Sequence, residues 1–162
     1  MIQEIHPSIL KGEILIPPSK SDSQRAILCA GLANGKSILK NYGESEDELN
    51  MLNTINDLGA KVQRIESNSI EIYGIHKFPL SKTIQVGESG LGLRLLTSIC
   101  AAHQGEFMLE GSGTLLKRPM NFFDITFPKL HVDFSSNNGF LPFKIKGPMI
   151  ATSLTVDGSQ SS

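Results

Sequence analysis

The stretch Pro17-Pro18-Ser19-Lys20-Ser21-Asp22-Ser23-Gln24-Arg25 holds the densest chemistry in the chain. It lies between a short apolar strand pattern over 14–16 and a helical pattern over 26–32. The turn therefore opens a helix, where backbone N–H groups lack partners and the dipole is positive. Lys20, Ser21 and Arg25 added at such an end suit a phosphate or a carboxylate. The plainer alternative makes Ser21 an N-cap and leaves both cations in solvent.

Two further segments carry the same kind of chemistry. Gly87-Glu88-Ser89-Gly90-Leu91-Gly92-Leu93-Arg94 places glycines where backbone can approach a ligand closely. Its Gly87-to-Gly92 spacing is that of a P-loop, but Leu93-Arg94 stands where Lys-Ser/Thr is required, so no P-loop is assigned. Arg94 reads either as a ligand cation or as a structural residue bridging lobes, with the structural role favoured. In Gly111 to Met120, Pro119 fits the first turn of a helix and puts Arg118 at its start. An arginine there suits bidentate recognition of an oxyanion. A cation at a helix N-terminus costs a few tenths of a kcal/mol, up to about 1. A bound anion beside Lys20, Arg25 and Arg118 would offset that cost.

The elements that position these segments repeat with a period of about 70 residues. The first copy reads strand 13–16, helix 21–32, strand 37–40, helix 46–58, then strands 61–65 and 69–73. The second reads strand 83–86, helix 90–102, strand 106–109, helix 118–127, then strands 131–134 and 143–146. Each copy is β-α-β-α-β-β. A third opens with a strand over 153–156, and Asp157 to Ser162 looks like one more strand-to-helix turn. The expectation is an N-terminal fragment of a longer protein. Within the first copy, Ser45 and Glu48 form a capping-box pair, and Leu49, Leu52, Ile55 and Leu58 make an apolar stripe that stops at Gly59. The acidic cluster Glu44 to Glu48 reads as capping and solvated surface, with no catalytic role.

Composition sets the outer bounds. At 162 residues and 40% hydrophobic, the chain is long enough for one domain with a real core. A formal net charge of −1 removes the electrostatic case for nucleic acid, so any anion site depends on local cations. Cys29 and Cys100 lie in apolar helical patterns and read as buried free thiols. His6, His76, His103 and His131 lack ligand spacing, so no metal is expected. No apolar run reaches membrane-span length, and the start is no signal peptide, which leaves a cytoplasmic protein.

Taken together, Pro-x-Ser-Lys-Ser-x-Ser-x-Arg at 17–25, Gly87 to Arg94, Arg118-Pro119-Met120 and Asp157-Gly-Ser-x-Ser-Ser162 resemble the 5-enolpyruvylshikimate-3-phosphate synthase (3-phosphoshikimate 1-carboxyvinyltransferase) family. The first motif is the specific one, and the resemblance covers essentially the whole chain. The related UDP-N-acetylglucosamine enolpyruvyl transferases are the runner-up; they usually carry Lys-Asn where this chain has Lys20-Ser21. A third possibility is a non-catalytic fragment that binds phosphorylated ligands.

The resemblance implies an α/β (α+β) fold, the inside-out barrel of the enolpyruvyl transferases, with three β-α-β-α-β-β units per lobe. Residues 1–12 would belong to the opposite lobe. Residues 13–162 would be a partial N-terminal lobe: unit one over 13–75, unit two over 82–148, and the start of unit three over 152–162. The implied reaction moves the enolpyruvyl group of phosphoenolpyruvate to the 5-hydroxyl of shikimate 3-phosphate, through a tetrahedral intermediate, and releases phosphate. It needs no metal and no organic cofactor. By position, Lys20 would contact both substrates and be catalytic. Ser21, Arg25, Ser161 and Ser162 would bind shikimate 3-phosphate, and Gly90 and Arg118 phosphoenolpyruvate. The proton-transfer residues would lie in the missing C-terminal part, so the isolated chain is expected to be inactive. The full-length enzyme would be a monomer, with neither nucleic acid nor membrane as partner. The family's Gly-Asn-Ala-Gly-Thr loop reads Gly87-Glu88-Ser89-Gly90-Leu91 here, which is expected to put an anion near the phosphoenolpyruvate pocket and alter affinity for that substrate and for glyphosate.

Overall fold

The computed structural model describes residues 3–4, 6–7, 9, 11–14, 16–66 and 68–156. It begins its regular structure with helix α1 (Lys20–Leu32) and strand β1 (Lys36–Lys40). Helix α2 (Glu46–Asp57) follows, then β2 (Lys61–Glu66) and β3 (Ser69–Tyr73). The second half runs β4 (Ser81–Gln85), α3 (Gly90–Ala102), β5 (Gly105–Glu110), a 3-10 turn (Gly113–Lys117), α4 (Phe122–Thr126), a second 3-10 turn (Phe127–Leu130), β6 (Asp133–Asn137) and β7 (Phe140–Gly147).

The repeat is visible in the strand order. One sheet is β1-β3-β2 and the other is β4-β5-β7-β6. In both, the last two strands of the unit form an antiparallel hairpin whose second strand also pairs with the strand that follows the unit's first helix. The second sheet adds β4, parallel to β5. Its counterpart in the first half is the segment expected as a strand over 13–16, and there residues 13, 14 and 16 are not in a strand. Ile14 and Ile16 are 86% and 69% exposed. A strand exists by pairing its backbone groups, and no ladder joins these residues to β1, which pairs with β3 alone among the described residues. Residues 153–156 likewise form no strand, and Val156 is exposed.

Helices and sheets share one core. Ile27 and Leu28 of α1 meet Met51, Leu52 and Ile55 of α2, and Leu93, Leu96 and Cys100 of α3 join Ile84, Leu109 and Phe143 of the second sheet. Close approach of α1 and α2 depends on Gly31, where an added Cβ would lie 2.9 Å from Ile55 Cγ2. The apolar stripe expected for α2 is buried at Leu52, Ile55 and Leu58, and departs from expectation at its first residue. Leu49 is 38% exposed, while Met51 and the carboxylate of Glu48 face inward. Cys29 also departs from expectation: it lies exposed on the outer face of α1, whereas Cys100 is fully buried.

The largest correction concerns the helix expected over 118–127. Helix α4 starts only at Phe122, and Arg118 is the C-cap of the preceding 3-10 turn. Proline disfavours helical backbone at the residue before it, and Arg118 precedes Pro119. The dipole argument for Arg118 therefore reverses: a cation suits the C-terminal end it occupies.

Candidate functional site

The opening of α1 is capped by Ser19, whose hydroxyl accepts from the Asp22 amide at 3.4 Å. Ser21 is not the cap; it sits exposed on the first turn. Lys20 and Arg25 also face solvent, yet both are paired. Lys20 Nζ lies 2.7 Å from Asp47 Oδ2 on the first turn of α2. Arg25 Nη2 lies 2.6 Å from Asp22 Oδ1. The hydrogen bond and charge of Arg25 hold the Asp22 carboxyl below its ordinary value. The hydrogen bond to Asp47 and its charge raise the Lys20 ammonium above its own.

The opposite side of the same turn points inward. Ser23 Oγ accepts from the Gly43 amide at 3.1 Å. Gln24 Oε1 accepts from Ser89 Oγ at 2.7 Å, in a buried bond between residues 65 apart. Ser89 is the N-cap of α3, and its hydroxyl accepts in turn from the Gly92 amide at 3.0 Å. The loop before that cap turns at Gly87, whose φ is +61°. A side chain there would also strike the amide of Asn50 on α2. The beginnings of α1, α2 and α3 are thus tied together through Lys20–Asp47, Gln24–Ser89 and the Gly87–Asn50 contact.

Arg118 completes the group. A Cβ built on Gly90 would lie 3.3 Å from Arg118 Nη1, so the guanidinium crosses the first residue of α3. The half-buried Gly90 end of α3 and the Arg118 fork together present donors of one sign, which is what an oxyanion needs. Arg94 lies half-buried on the second turn of α3, and no ion pair involving it occurs among the described residues. Ser161 and Ser162 lie outside the described residues. Among the described residues no cluster of His, Cys, Asp and Glu could hold a metal, and no helix is long and apolar enough to cross a membrane.

The sequence model of the EPSP synthase family (3-phosphoshikimate 1-carboxyvinyltransferase) matches residues 5–162. The chain belongs to the EPSP synthase family. It is 34% identical to the 3-phosphoshikimate 1-carboxyvinyltransferase of Clostridium beijerinckii, over 98% of this chain and 38% of that protein. The enzyme of the same name from Chlamydia trachomatis serovar D is 37% identical, over 97% of this chain and 36% of its own length. The solved EPSP synthase from Acinetobacter baumannii superposes with a TM-score of 0.81 at 25% identity, covering 93% of this chain and 36% of that one. The chain therefore spans well under half the length of the relatives it matches.

Within this EPSP synthase fold, several residues at the site take parts that the sequence alone does not assign to them. Gln24 and Ser23 fill the inner face of the α1 turn, and Asp47 holds Lys20. Asp47 sits in the acidic run that reads as solvated surface in the sequence. Glu48, also in that run, is 2% exposed. Only its capping-box spacing signalled a specific role, and that box is formed with Ser45.

Proposed function

We propose that this chain supplies part of the substrate site of a 3-phosphoshikimate 1-carboxyvinyltransferase, which transfers the enolpyruvyl group of phosphoenolpyruvate to the 5-hydroxyl of shikimate 3-phosphate. The supporting observation is that the start of α1, which carries Lys20, is tied by the buried Gln24–Ser89 bond to the Ser89-capped start of α3, across which Arg118 lies. Two strongly anionic substrates repel each other in water. Fixed cations and helix ends remove that repulsion without reorganising during the reaction.

In this reading Lys20 leaves Asp47 to contact both substrates, and Ser21 and Arg25 bind shikimate 3-phosphate, with Ser161 and Ser162. The Gly90 amide and Arg118 hold phosphoenolpyruvate. Addition of the 5-hydroxyl to the enolpyruvyl group gives a tetrahedral intermediate, and loss of phosphate from it gives the enol ether product. The proton-transfer groups belong to the part of the relatives' length that this chain does not span. The chain alone then lacks both those groups and a closing lobe to exclude water. Residues 1–12 pack in the opposite lobe, residues 13–75 and 82–148 form two units, and 152–162 open a third. The whole enzyme works as a cytoplasmic monomer, without metal or organic cofactor.

Phosphate release from phosphoenolpyruvate plus shikimate 3-phosphate tests the reading. The 162-residue chain is assayed alone and mixed with a polypeptide covering the remaining length of the relatives. The expected result is release only in the mixture, and more than roughly tenfold loss of kcat/KM with Lys20→Ala or Arg25→Ala. Turnover by the chain alone would overturn the division of the cleft, and turnover with UDP-N-acetylglucosamine in place of shikimate 3-phosphate would overturn the substrate.

A further inference from the structure

A carboxylate beside an anion site ought to repel the anion, and Glu88 stands immediately before the Ser89 cap of α3. Its geometry shows a different use. Glu88 Oε2 accepts from the Thr114 amide at 2.8 Å and from the Thr114 hydroxyl at 2.9 Å. Those bonds, the amide first, together with the charge of Arg118 hold the carboxyl below its ordinary value. The approach is possible because residue 113 is glycine. It adopts φ +53°, and a Cβ there would collide with the Glu88 carboxylate.

A second bond runs alongside: the Ser112 amide donates to Gly87 O at 2.9 Å. The two loops are therefore joined by Gly87 and Glu88 on one side and by Ser112 and Thr114, which flank Gly113, on the other. From this grip the 3-10 turn has a fixed course. The Leu115 amide donates to Ser112 O, and the Leu115 side chain is fully buried. The Arg118 amide then donates to Leu115 O at 3.1 Å, which ends the turn with Arg118 at its exit. The guanidinium leaves that exit across Gly90.

We propose that Glu88 is a positioning residue: its carboxylate clasps Thr114 so that the 3-10 turn presents Arg118 over the start of α3 for phosphoenolpyruvate. The proposal rests on the substrate assignment above. An arginine side chain is long and freely rotating, and holding its backbone in place lowers the ordering that ligand binding must supply. The clasp also ties up the negative charge, so that it faces the turn amide and not the anion.

The two roles open to Glu88 predict opposite signs. If Glu88 only repels the anion, Glu88→Ala tightens phosphoenolpyruvate binding. If Glu88 positions Arg118, Glu88→Ala weakens it by roughly three- to tenfold, the range of a lost hydrogen bond. Glu88→Gln, which keeps an acceptor for Thr114, retains most of the affinity. Binding is followed in the mixture of the isotope-labelled 162-residue chain with the polypeptide covering the remaining length of the relatives, by titrating phosphoenolpyruvate against the Gly90 and Gly92 amide resonances. Amide hydrogen exchange without ligand gives an independent readout: Glu88→Ala speeds exchange at Thr114 and Arg118 and leaves the β5 and β7 amides unchanged. Unaltered Thr114 exchange, or equal or tighter phosphoenolpyruvate binding by Glu88→Ala, overturns the proposal. A wild-type chain whose Gly90 amide ignores phosphoenolpyruvate, while Thr114 exchange still responds to Glu88→Ala, overturns the substrate assignment and with it the role of Glu88 toward that ligand.

Discussion

Lys20 Nζ and Asp47 Oδ2 lie 2.7 Å apart, so a cation assigned to both substrates is already held by a carboxylate on the neighbouring helix. Lys20 is more than half exposed, and solvent screens the pair. Its ammonium is nevertheless raised above the ordinary 10.5 by the Asp47 hydrogen bond and charge. The small stability this contributes is complete at neutral pH and is lost only as pH climbs through that raised value. For binding, Asp47 is a competitor that the incoming anion must displace. Asp47→Asn is therefore expected to strengthen shikimate 3-phosphate binding by about two- to fivefold, the scale of an exposed ion pair. Calorimetric titration measures it. Weaker binding would mean that Asp47 orients Lys20 and does not compete for it.

The Gln24–Ser89 bond supports a prediction about stability. Ser89→Ala leaves Gln24 Oε1 buried without its donor and the Gly92 amide without its cap. Each loss is unfavourable, and the variant is expected to lose about 1–3 kcal/mol in urea unfolding. Gln24→Leu removes the other partner. If the bond joins the two helices energetically, the double variant loses clearly less than the two single losses added together. Simple additivity would show that α1 and α3 are held by their apolar contacts alone.

What the sequence made legible follows from how local each signal is. Helix α3 has its expected bounds because Ser89 caps it and Leu91, Leu93, Leu95, Leu96, Ile99 and Cys100 give it a long apolar face. Strand β3 likewise falls at Ser69–Tyr73, between a turn and Gly74. The segments over 13–16 and 153–156 carry strand-like residues, but pairing partners decide a strand and no local pattern reports them. In α2 the stripe held at Leu52, Ile55 and Leu58, but the buried face also takes in Met51 and Glu48, a charged residue buried by its own cap, which hydropathy alone reads as surface. The site divides in the same way. Lys20, Arg25 and Gly90 stand in contiguous motifs, whereas contacts made across the fold, Lys20 with Asp47, Gln24 with Ser89 and Glu88 with Thr114, join turns that are distant in sequence.

Acidification should expose the role of Glu48. Burial pushes its carboxyl up, but the Ser45 side chain and amide, the Ser23 hydroxyl and Lys20 outweigh burial and hold it below the ordinary 4.5. A lowered native value means the unfolded chain binds more protons as pH falls. Glu48 thus stabilises the fold above pH 4.5, and that contribution is lost as pH drops through the native value. Glu48→Gln keeps a capping-box side chain but cannot titrate. The variant is expected to be less stable than wild type at pH 7, with the gap closing below pH 4.5. Urea midpoints across pH 3–7 measure it, and a gap that stays constant would show that packing, not charge, sets the effect of Glu48.

The two cysteines offer a readout of the core that leaves the site untouched. Cys29 projects from α1 between residues that are themselves buried, Leu28 and Ala30, and is exposed. Cys100 on α3 is fully buried, and burial pushes its thiol up to about 12. Thiolate is the reactive form, so Cys100 is protected both by access and by protonation. In the native chain an aromatic disulfide reagent should modify Cys29 at the rate of an open thiol. Cys100 should react only through unfolding, slower by more than about a thousandfold, given an unfolding free energy of about 5 kcal/mol or more. Adding urea should then accelerate the slow phase in step with the unfolding transition and leave the fast phase unchanged. Cys29→Ser should abolish the fast phase alone. If Cys100 instead reacted quickly in native conditions, α3 would be loosely seated on β5 and β7. A loose α3 could not hold Ser89 and Gly90 in the geometry on which the anion site depends.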